Sequence, residues 1–154
     1  MATRAMISIA KREEGVSFSE EPNQTIVDIY HHWDGYPEGL GVTLASYLDD
    51  KKVTNGLSGR KIVNGISSAM NKDLVNNGMG CLAASLVAYL KDGPGNVYIE
   101  SRNQHGWIDY YYVVWGDTDK EIWISIFDEG ECIFVGKPDK LIEKYDGQFH
   151  DFTN

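Results

Sequence analysis

The stretch that decides the fold runs from Thr25 to Leu48 and reads TIVDIYHHWDGYPEGLGVTLASYL. Up to Trp33, apolar and polar side chains alternate, and this period of two predicts a β-strand. Asp34-Gly35-Tyr36-Pro37 has the composition of a turn, and a proline suits the first turn of a helix, where its missing N–H has no partner to lose. Leucines recur at helical spacing from Leu40 onward. The stretch therefore predicts a strand, a turn and a helix in that order.

The alternation in this strand also predicts which side chains face the core. Val27, Ile29, His31 and Trp33 are expected to point inward. Asp28, Tyr30 and His32 are expected to point outward. Gly39 and Gly41 each disfavour a helix by about 1 kcal/mol relative to alanine. We therefore expect that glycine stands at these two positions because the backbone approaches a neighbouring segment closely.

On either side of this stretch, the spacing of apolar residues is typical of strands in some segments and of helices in others. Before it, Ala5–Ala10 is predicted as a strand. After it, we predict a short helix over Arg60–Asn71, a buried helix over Met79–Lys91 and an amphipathic helix over Pro138–Tyr145. A meander of antiparallel hairpins is predicted from four further strands: Val97–Glu100, Trp107–Trp115, Glu121–Phe127 and Cys132–Val135.

This order of elements predicts an α+β fold. We expect a largely antiparallel sheet, built from N-terminal strands plus the C-terminal meander, with helices packed on one face. A chain of 154 residues with 42% hydrophobic residues is large enough for one core, so a single domain is expected over residues 1–154. Residues 1–4 and 146–154 are expected to be loosely ordered.

The composition argues against several classes of function. A formal net charge of −9 with 14 scattered basic residues argues against binding of duplex nucleic acid, which needs a clustered Lys/Arg face. No apolar run reaches the roughly 18 residues that a membrane span needs, and the N-terminal apolar run is too short for a signal peptide. We therefore expect a soluble cytoplasmic protein with no membrane partner.

A candidate binding surface is formed by polar and aromatic residues around the turn: His31, His32, Asp34, Tyr36 and Glu38. In one interpretation, His32 and Asp34 ligate a metal or hold an anion near the helix start. A metal site needs three or four ligands, so the fold would have to bring in His105 or Asp109. In the other interpretation, Asp34 caps the turn, His32 is solvated and His31 is half-buried. We expect no metal and no cofactor.

The same stretch resembles a group of small uncharacterised proteins of bacteriophages, including cyanophages, and of some bacteria. In that group, an opening of the type M-[SA]-T-R-[AS] precedes a strand that ends in Y-x-H-x-D-G-Y-P-x-G. Here the opening is Met1-Ala2-Thr3-Arg4-Ala5, and the motif spans Tyr30 to Gly39. A later acidic and tyrosine-rich strand of the group resembles Ile108–Val113. The resemblance implies a phage-encoded protein that acts in a host cytoplasm, and it carries over no catalytic residue.

The two cysteines, Cys81 and Cys132, lack the paired short spacings of a zinc site or a disulfide framework, and both are expected to be reduced core residues. However, Cys81 opens the most apolar predicted helix, and a thiol at a helix N-terminus can have a lowered pKa. The order Cys81, His105, Asp128 resembles the papain-like and transglutaminase-like cysteine enzymes, which implies a nucleophile, a base and an orienting carboxylate. The alternative for Cys81 is a small apolar residue packed against the sheet.

Two functional hypotheses follow from these patterns. The leading one is a non-enzymatic accessory protein that binds a host or phage protein, or a small ligand, at the surface around His31–Gly41, with the loop from Val53 to Asn77 beside it. The competing one is a cysteine-dependent hydrolase or transferase that uses Cys81, His105 and Asp128. The tyrosine run Tyr110-Tyr111-Tyr112 is expected to build cross-strand ladders, and its outward members a homodimer contact.

Overall fold

A computed structural model describes residues 2–55, 62–63, 66–67, 75–103 and 106–151, with side chains for these residues except 62–67 and 147–151. A π-helical turn at Pro37–Gly41 leads directly into the first α-helix. The elements in chain order are β1 Ala5–Lys11, β2 Val27–His31, α1 Val42–Leu48, β3 Lys52–Thr54, β4 Ile62–Val63, β5 Ile66–Ser67, β6 Val75–Asn77, α2 Gly78–Leu90, β7 Val97–Ile99, β8 Tyr110–Gly116, β9 Trp123–Asp128, β10 Glu131–Gly136 and α3 Pro138–Asp151.

Within the described residues, six strands form the central sheet in the order β10-β9-β8-β1-β2-β7. Strands β1 and β8 run parallel, and every other neighbouring pair in this sheet is antiparallel. The predicted α+β class is therefore confirmed. The meander is confirmed for β8, β9 and β10, but β7 does not belong to it, because it pairs with β2 at the far edge.

One face of the sheet, the helix-covered face, carries the larger apolar core. The strands contribute alternate β-branched and aromatic side chains, among them Ile7, Ile29 and Tyr112. All three described helices pack against them, as leucines from each show: Leu44, Leu48, Leu82, Leu86 and Leu141. The prediction that the helices lie on one face is confirmed. Each such leucine stabilises the fold by about 2–3 kcal/mol relative to exposure.

The opposite face, the loop-covered face, is buried by loops. Phe18 from the β1–β2 connection lies 5.5 Å from the ring of Trp115 and stacks at 5.1 Å on Trp123. Polar groups buried here are paired: the Tyr111 hydroxyl donates to Ser8 Oγ at 2.8 Å, and Trp115 Nε1 donates to Ser125 Oγ at 2.8 Å. The side of β2 that was expected to point outward therefore faces a second, smaller core.

The predicted helix over Arg60–Asn71 is wrong at the positions that the structure describes. Strands β4 and β5 pair antiparallel there. Three of their four residues are β-branched, and Asn64-Gly65 stands between them in the sequence, a dipeptide typical of two-residue hairpin loops. The other residues of that prediction lie outside the described residues. The C-terminal helix is also longer than predicted, since α3 continues to Asp151.

Candidate functional site

The residues of interest gather at one end of the central sheet, where β2 and β9 end and β1, β7, β8 and β10 begin. The register places one residue of each strand in a row across this end: Glu131, Asp128, Tyr110, Ala5, His31 and Val97. We call this end, together with residues 32–39 and the adjoining loops, the strand-end surface. Most of the candidate residues from the sequence lie here.

The turn after β2 is held in place by its neighbours. Asn96 Oδ1 accepts hydrogen bonds from the backbone N–H of His32 at 3.2 Å and of Trp33 at 2.8 Å. The Tyr112 hydroxyl donates to the Gly35 carbonyl at 2.6 Å, and the Gly35 N–H donates to the Thr3 carbonyl at 2.9 Å. The turn is therefore fixed to three separate segments, and it presents its side chains in one arrangement.

Close approach explains the glycines of the turn. A Cβ on Gly35 would lie 2.7 Å from the Ala5 Cβ, and one on Gly39 would lie 2.9 Å from the Asp34 carbonyl oxygen. The prediction of close approach is thus confirmed for Gly39. For Gly41 it is wrong, since the nearest atoms would be at 3.5 Å, an ordinary contact.

His31 is buried, with 9% of its surface exposed, and its ring does not form part of the outer surface. Its assignment to the binding surface is therefore corrected, because β2 directs this side chain to the helix-covered face. Within the described residues, Nδ1 has no hydrogen-bond partner. Burial lowers the pKa of the imidazole, against smaller opposing effects of a backbone hydrogen bond at Trp33 and of the Asp34 carboxylate.

A continuous row of rings crosses the strand-end surface, and we call it the aromatic ridge: Trp33, His32, Tyr30 and Tyr98. Successive ring centroids lie 5.4, 5.8 and 6.1 Å apart. His32 Nδ1 and the Tyr30 hydroxyl are 2.7 Å apart, so the half-buried imidazole is paired. The two outer rings are exposed, Trp33 by 54% and Tyr98 by 46%.

Neither outer member of the ridge is predicted from the sequence to lie at this surface. Trp33 was expected to point inward by extending the alternation of β2, but the strand ends at His31 and the prediction is wrong. Tyr98 lies beside Tyr30 only because β7 pairs with β2, in a register that sets Tyr98 opposite Tyr30, 68 residues away in the sequence. No local pattern signals such a contact.

The remaining candidates around the turn are Asp34, Tyr36 and Glu38. Asp34 is exposed and adopts a positive φ of 57°, which a short polar side chain tolerates better than most. Tyr36 is half-buried, and its ring packs where a side chain on Gly39 would otherwise lie. Glu38 is half-buried, and its carboxylate adds to burial in raising the pKa of Tyr110. Glu38 therefore lies close to the start of β8.

Beside the ridge, two neighbouring cavities of about 230 and 310 Å³ share Asp109, Tyr110 and Glu129 in their walls, and we call them together the carboxylate cleft. The walls also include further aromatic and charged side chains: Glu21, Arg102, Trp107, Tyr111, Phe127 and Asp128. Sequence reasoning named Asp109 only as a remote metal ligand and Asp128 only as a catalytic carboxylate. Both carboxylates instead line the same cavity.

Cys81 and Asp128, two of the three cysteine-enzyme residues, are not brought together. A Cβ on Gly116 would lie 2.8 Å from Met79 Sδ, so α2 begins near Gly116, the last residue of β8. Asp128 pairs with Tyr110, the first residue of β8. The length of β8 puts about 20 Å between these two ends. Cys81 is exposed rather than in the core, which corrects that prediction, and its Sγ donates to Asn76 Oδ1 at 3.7 Å. Cys132 is half-buried, and His105 lies outside the described residues.

A search of the described residues finds no group of three or more His, Cys, Asp or Glu side chains that could hold a metal ion. In the same part of the chain, no helix has the length and apolar character needed to cross a membrane. No family model matches the chain, and no curated protein and no solved structure matches it.

Proposed function

We propose that this chain is a non-enzymatic accessory protein of the phage type, which binds a partner protein at the strand-end surface. The observation that carries the proposal is the aromatic ridge, whose outer rings, Trp33 and Tyr98, are about half exposed although the rest of the row packs into the sheet. Exposed tryptophan and tyrosine are enriched in protein interfaces and among the residues that dominate binding energy.

The ridge is suited to binding because it is already ordered. Asn96 fixes the backbone of Trp33, and the paired Tyr30 and His32 support the rings at its two ends. Ordering a mobile side chain on association costs about 0.5–1.5 kcal/mol, so rings held in place lose less entropy when a partner arrives.

The polar candidates take different parts in this proposal. His32 belongs to the ridge itself, and Asp34 and Glu38 lie on the turn beside it. Charged and polar groups at the rim of an interface favour the correct partner more than they add affinity. His31 and Tyr36 support the turn from within. The Cys81 thiol is no part of the proposal, because α2 begins at the opposite end of the sheet.

Affinity capture from a bacterial lysate tests the proposal with a matched pair of variants. Tyr98 and Tyr89 are both tyrosines, 46% and 50% exposed, but Tyr89 stacks on Tyr47 of α1 and is not part of the aromatic ridge. We expect Tyr98→Ala combined with Trp33→Ala to lose at least about 90% of the specifically captured protein, a tenfold change or about 1.4 kcal/mol. Tyr89→Ala should retain it.

The proposal fails if the double variant captures the same proteins as the unchanged chain in the same amounts. It also fails if Tyr89→Ala is the variant that loses them, since the partner would then bind at α2. Circular dichroism and urea unfolding of each variant exclude loss of folding as the cause of a lost partner.

A further inference from the structure

The carboxylate cleft combines aromatic rings with acidic side chains. Its floor contains Tyr111 and Phe127, 5.7 Å apart between centroids and each 4% exposed. At its mouth Trp107 is 62% exposed, and its indole Nε1 donates to Asp109 Oδ1 at 3.2 Å. An electron-rich ring face beside a carboxylate is the combination that attracts ammonium and guanidinium groups.

The charges of the cleft favour a cation as well. Four carboxylates line it, those of Glu21, Asp109, Asp128 and Glu129, and Arg102 is the one cationic side chain in its walls among the described residues. Four negative charges and one positive charge leave a net charge of −3. Side chains of Lys and Arg on a partner would lower the repulsion among these carboxylates.

Arg102 shows how the cleft holds a guanidinium. Its Cζ lies 4.5 Å from the centroid of the Tyr111 ring, and its Nη2 lies 3.4 Å from Glu21 Oε1. Thus one planar cation already lies between a ring and a carboxylate. Trp107 and Asp109 form a second ring and carboxylate pair on the same cavity, and in the described residues no cationic side chain occupies it.

We propose that the carboxylate cleft binds an arginine side chain of the partner protein, with its guanidinium against Trp107 and its N–H groups donating to Asp109 and Glu129. The inference rests on the proposed function, since the cleft adjoins the ridge: Met6 of β1 pairs with Tyr30 of the ridge on one side and with Tyr111 of the cleft floor on the other. The partner is therefore a protein that presents a basic segment beside an apolar one.

The test uses the full chain and a small probe in place of the partner. Nα-acetyl-arginine amide is titrated while the tryptophan indole N–H resonances are followed by NMR, with the neutral citrulline analogue and inorganic phosphate in separate titrations. We expect a saturable shift of the Trp107 indole with the arginine probe and binding at least about fivefold weaker with citrulline. Phosphate should give no saturable shift.

Two variants locate the effect. Asp109→Asn combined with Glu129→Gln should weaken binding of the arginine probe at least about tenfold. Glu13→Gln combined with Glu14→Gln makes the same charge change at the opposite end of the sheet and should alter this binding less than about twofold. Asp109 also accepts from the Arg4 N–H at 2.8 Å. Glu129→Gln alone therefore serves as a variant that leaves this bond in place, and it should weaken the probe about threefold.

Equal binding of the arginine and citrulline probes, a saturable shift with phosphate in place of arginine, or no saturable shift with any probe overturns the inference. Each of these results leaves the proposed function standing if capture still depends on Tyr98 and Trp33. Conversely, if the cleft binds the arginine probe but capture does not depend on Trp33 and Tyr98, the proposed function is overturned. What remains in that case is a cation-binding site in the cleft.

Discussion

The two ends of the central sheet are both highly charged, but they differ in the balance of charge and in their rings. At the end opposite to the strand-end surface, a groove of about 510 Å³ is lined by four lysines and four carboxylates, which cancel. The carboxylate cleft has a net charge of −3 and lies beside exposed aromatic rings. Unbalanced charge next to ordered apolar area therefore distinguishes the strand-end surface from the other end of the sheet.

The largest expected effect contrasts a glycine at each end. Gly35→Ala would place a Cβ 2.7 Å from the Ala5 Cβ and 2.8 Å from the Thr3 carbonyl, so the turn must shift. We expect a loss of about 3 kcal/mol in the free energy of unfolding. At the opposite end, Gly80→Ala meets no atom within 4 Å and lies in α2. It should stabilise by about 0.5–1 kcal/mol. Urea unfolding measures both, and equal effects would contradict the account of the turn.

A second prediction concerns the hydrogen bond that joins the sheet to the turn. Tyr112→Phe removes the donor to the Gly35 carbonyl, a 2.6 Å bond in a buried position. Leaving that carbonyl unpaired should cost about 1–3 kcal/mol. The variant should also increase amide hydrogen exchange at residues 35–40 more than at the residues of β9. A stability loss spread evenly over the sheet would show that the bond does not hold the turn.

A third and smaller effect is the pH dependence conferred by His31. Burial lowers the pKa of this imidazole in the folded state below its ordinary value of 6.5, so the unfolded chain binds the proton more tightly. Stability from this group is therefore complete above the unfolded pKa and falls as the pH drops from about 7.5 through the folded pKa. His31→Gln should flatten the unfolding free energy between about pH 7.5 and pH 5 relative to the unchanged chain.

The smallest expected effect on stability belongs to the outer rings of the ridge. Trp33→Ala and Tyr98→Ala each remove a side chain about half exposed, and each should change the free energy of unfolding by less than about 0.5–1 kcal/mol. Thermal unfolding measures this directly. A loss several times larger would mean that these rings are structural, and it would remove the contrast between the two ends.

The sequence predicted what depends on local period and missed what depends on strand pairing. The strand and helix on either side of Pro37 follow from alternation and from leucine spacing, and both are present. The parallel pairing of β1 with β8 brings Asp109 and Tyr110 beside the N-terminal segment. Such contacts span about a hundred residues, and a single sequence carries no signal of them.

Side-chain direction near the strand end was the other source of error. Alternation correctly placed Ile29 toward the helices, and the same rule misplaced Trp33 because the rule holds only while the strand continues. Likewise the hairpin β4–β5 was signalled by Asn64-Gly65, but the apolar spacing of Ile62, Ile66 and Met70 was interpreted as helical. In both cases a local turn signal outweighed the apparent period.

Photo-cross-linking tests most directly whether the strand-end surface is where a partner binds. The chain carries p-benzoylphenylalanine in place of Tyr98 or, as the control, in place of Tyr89, two sites of nearly equal exposure. Irradiation in a bacterial lysate should give a discrete cross-linked product from position 98 and none from position 89. A product from position 89 alone, or the same product in equal yield from both positions, would contradict the account.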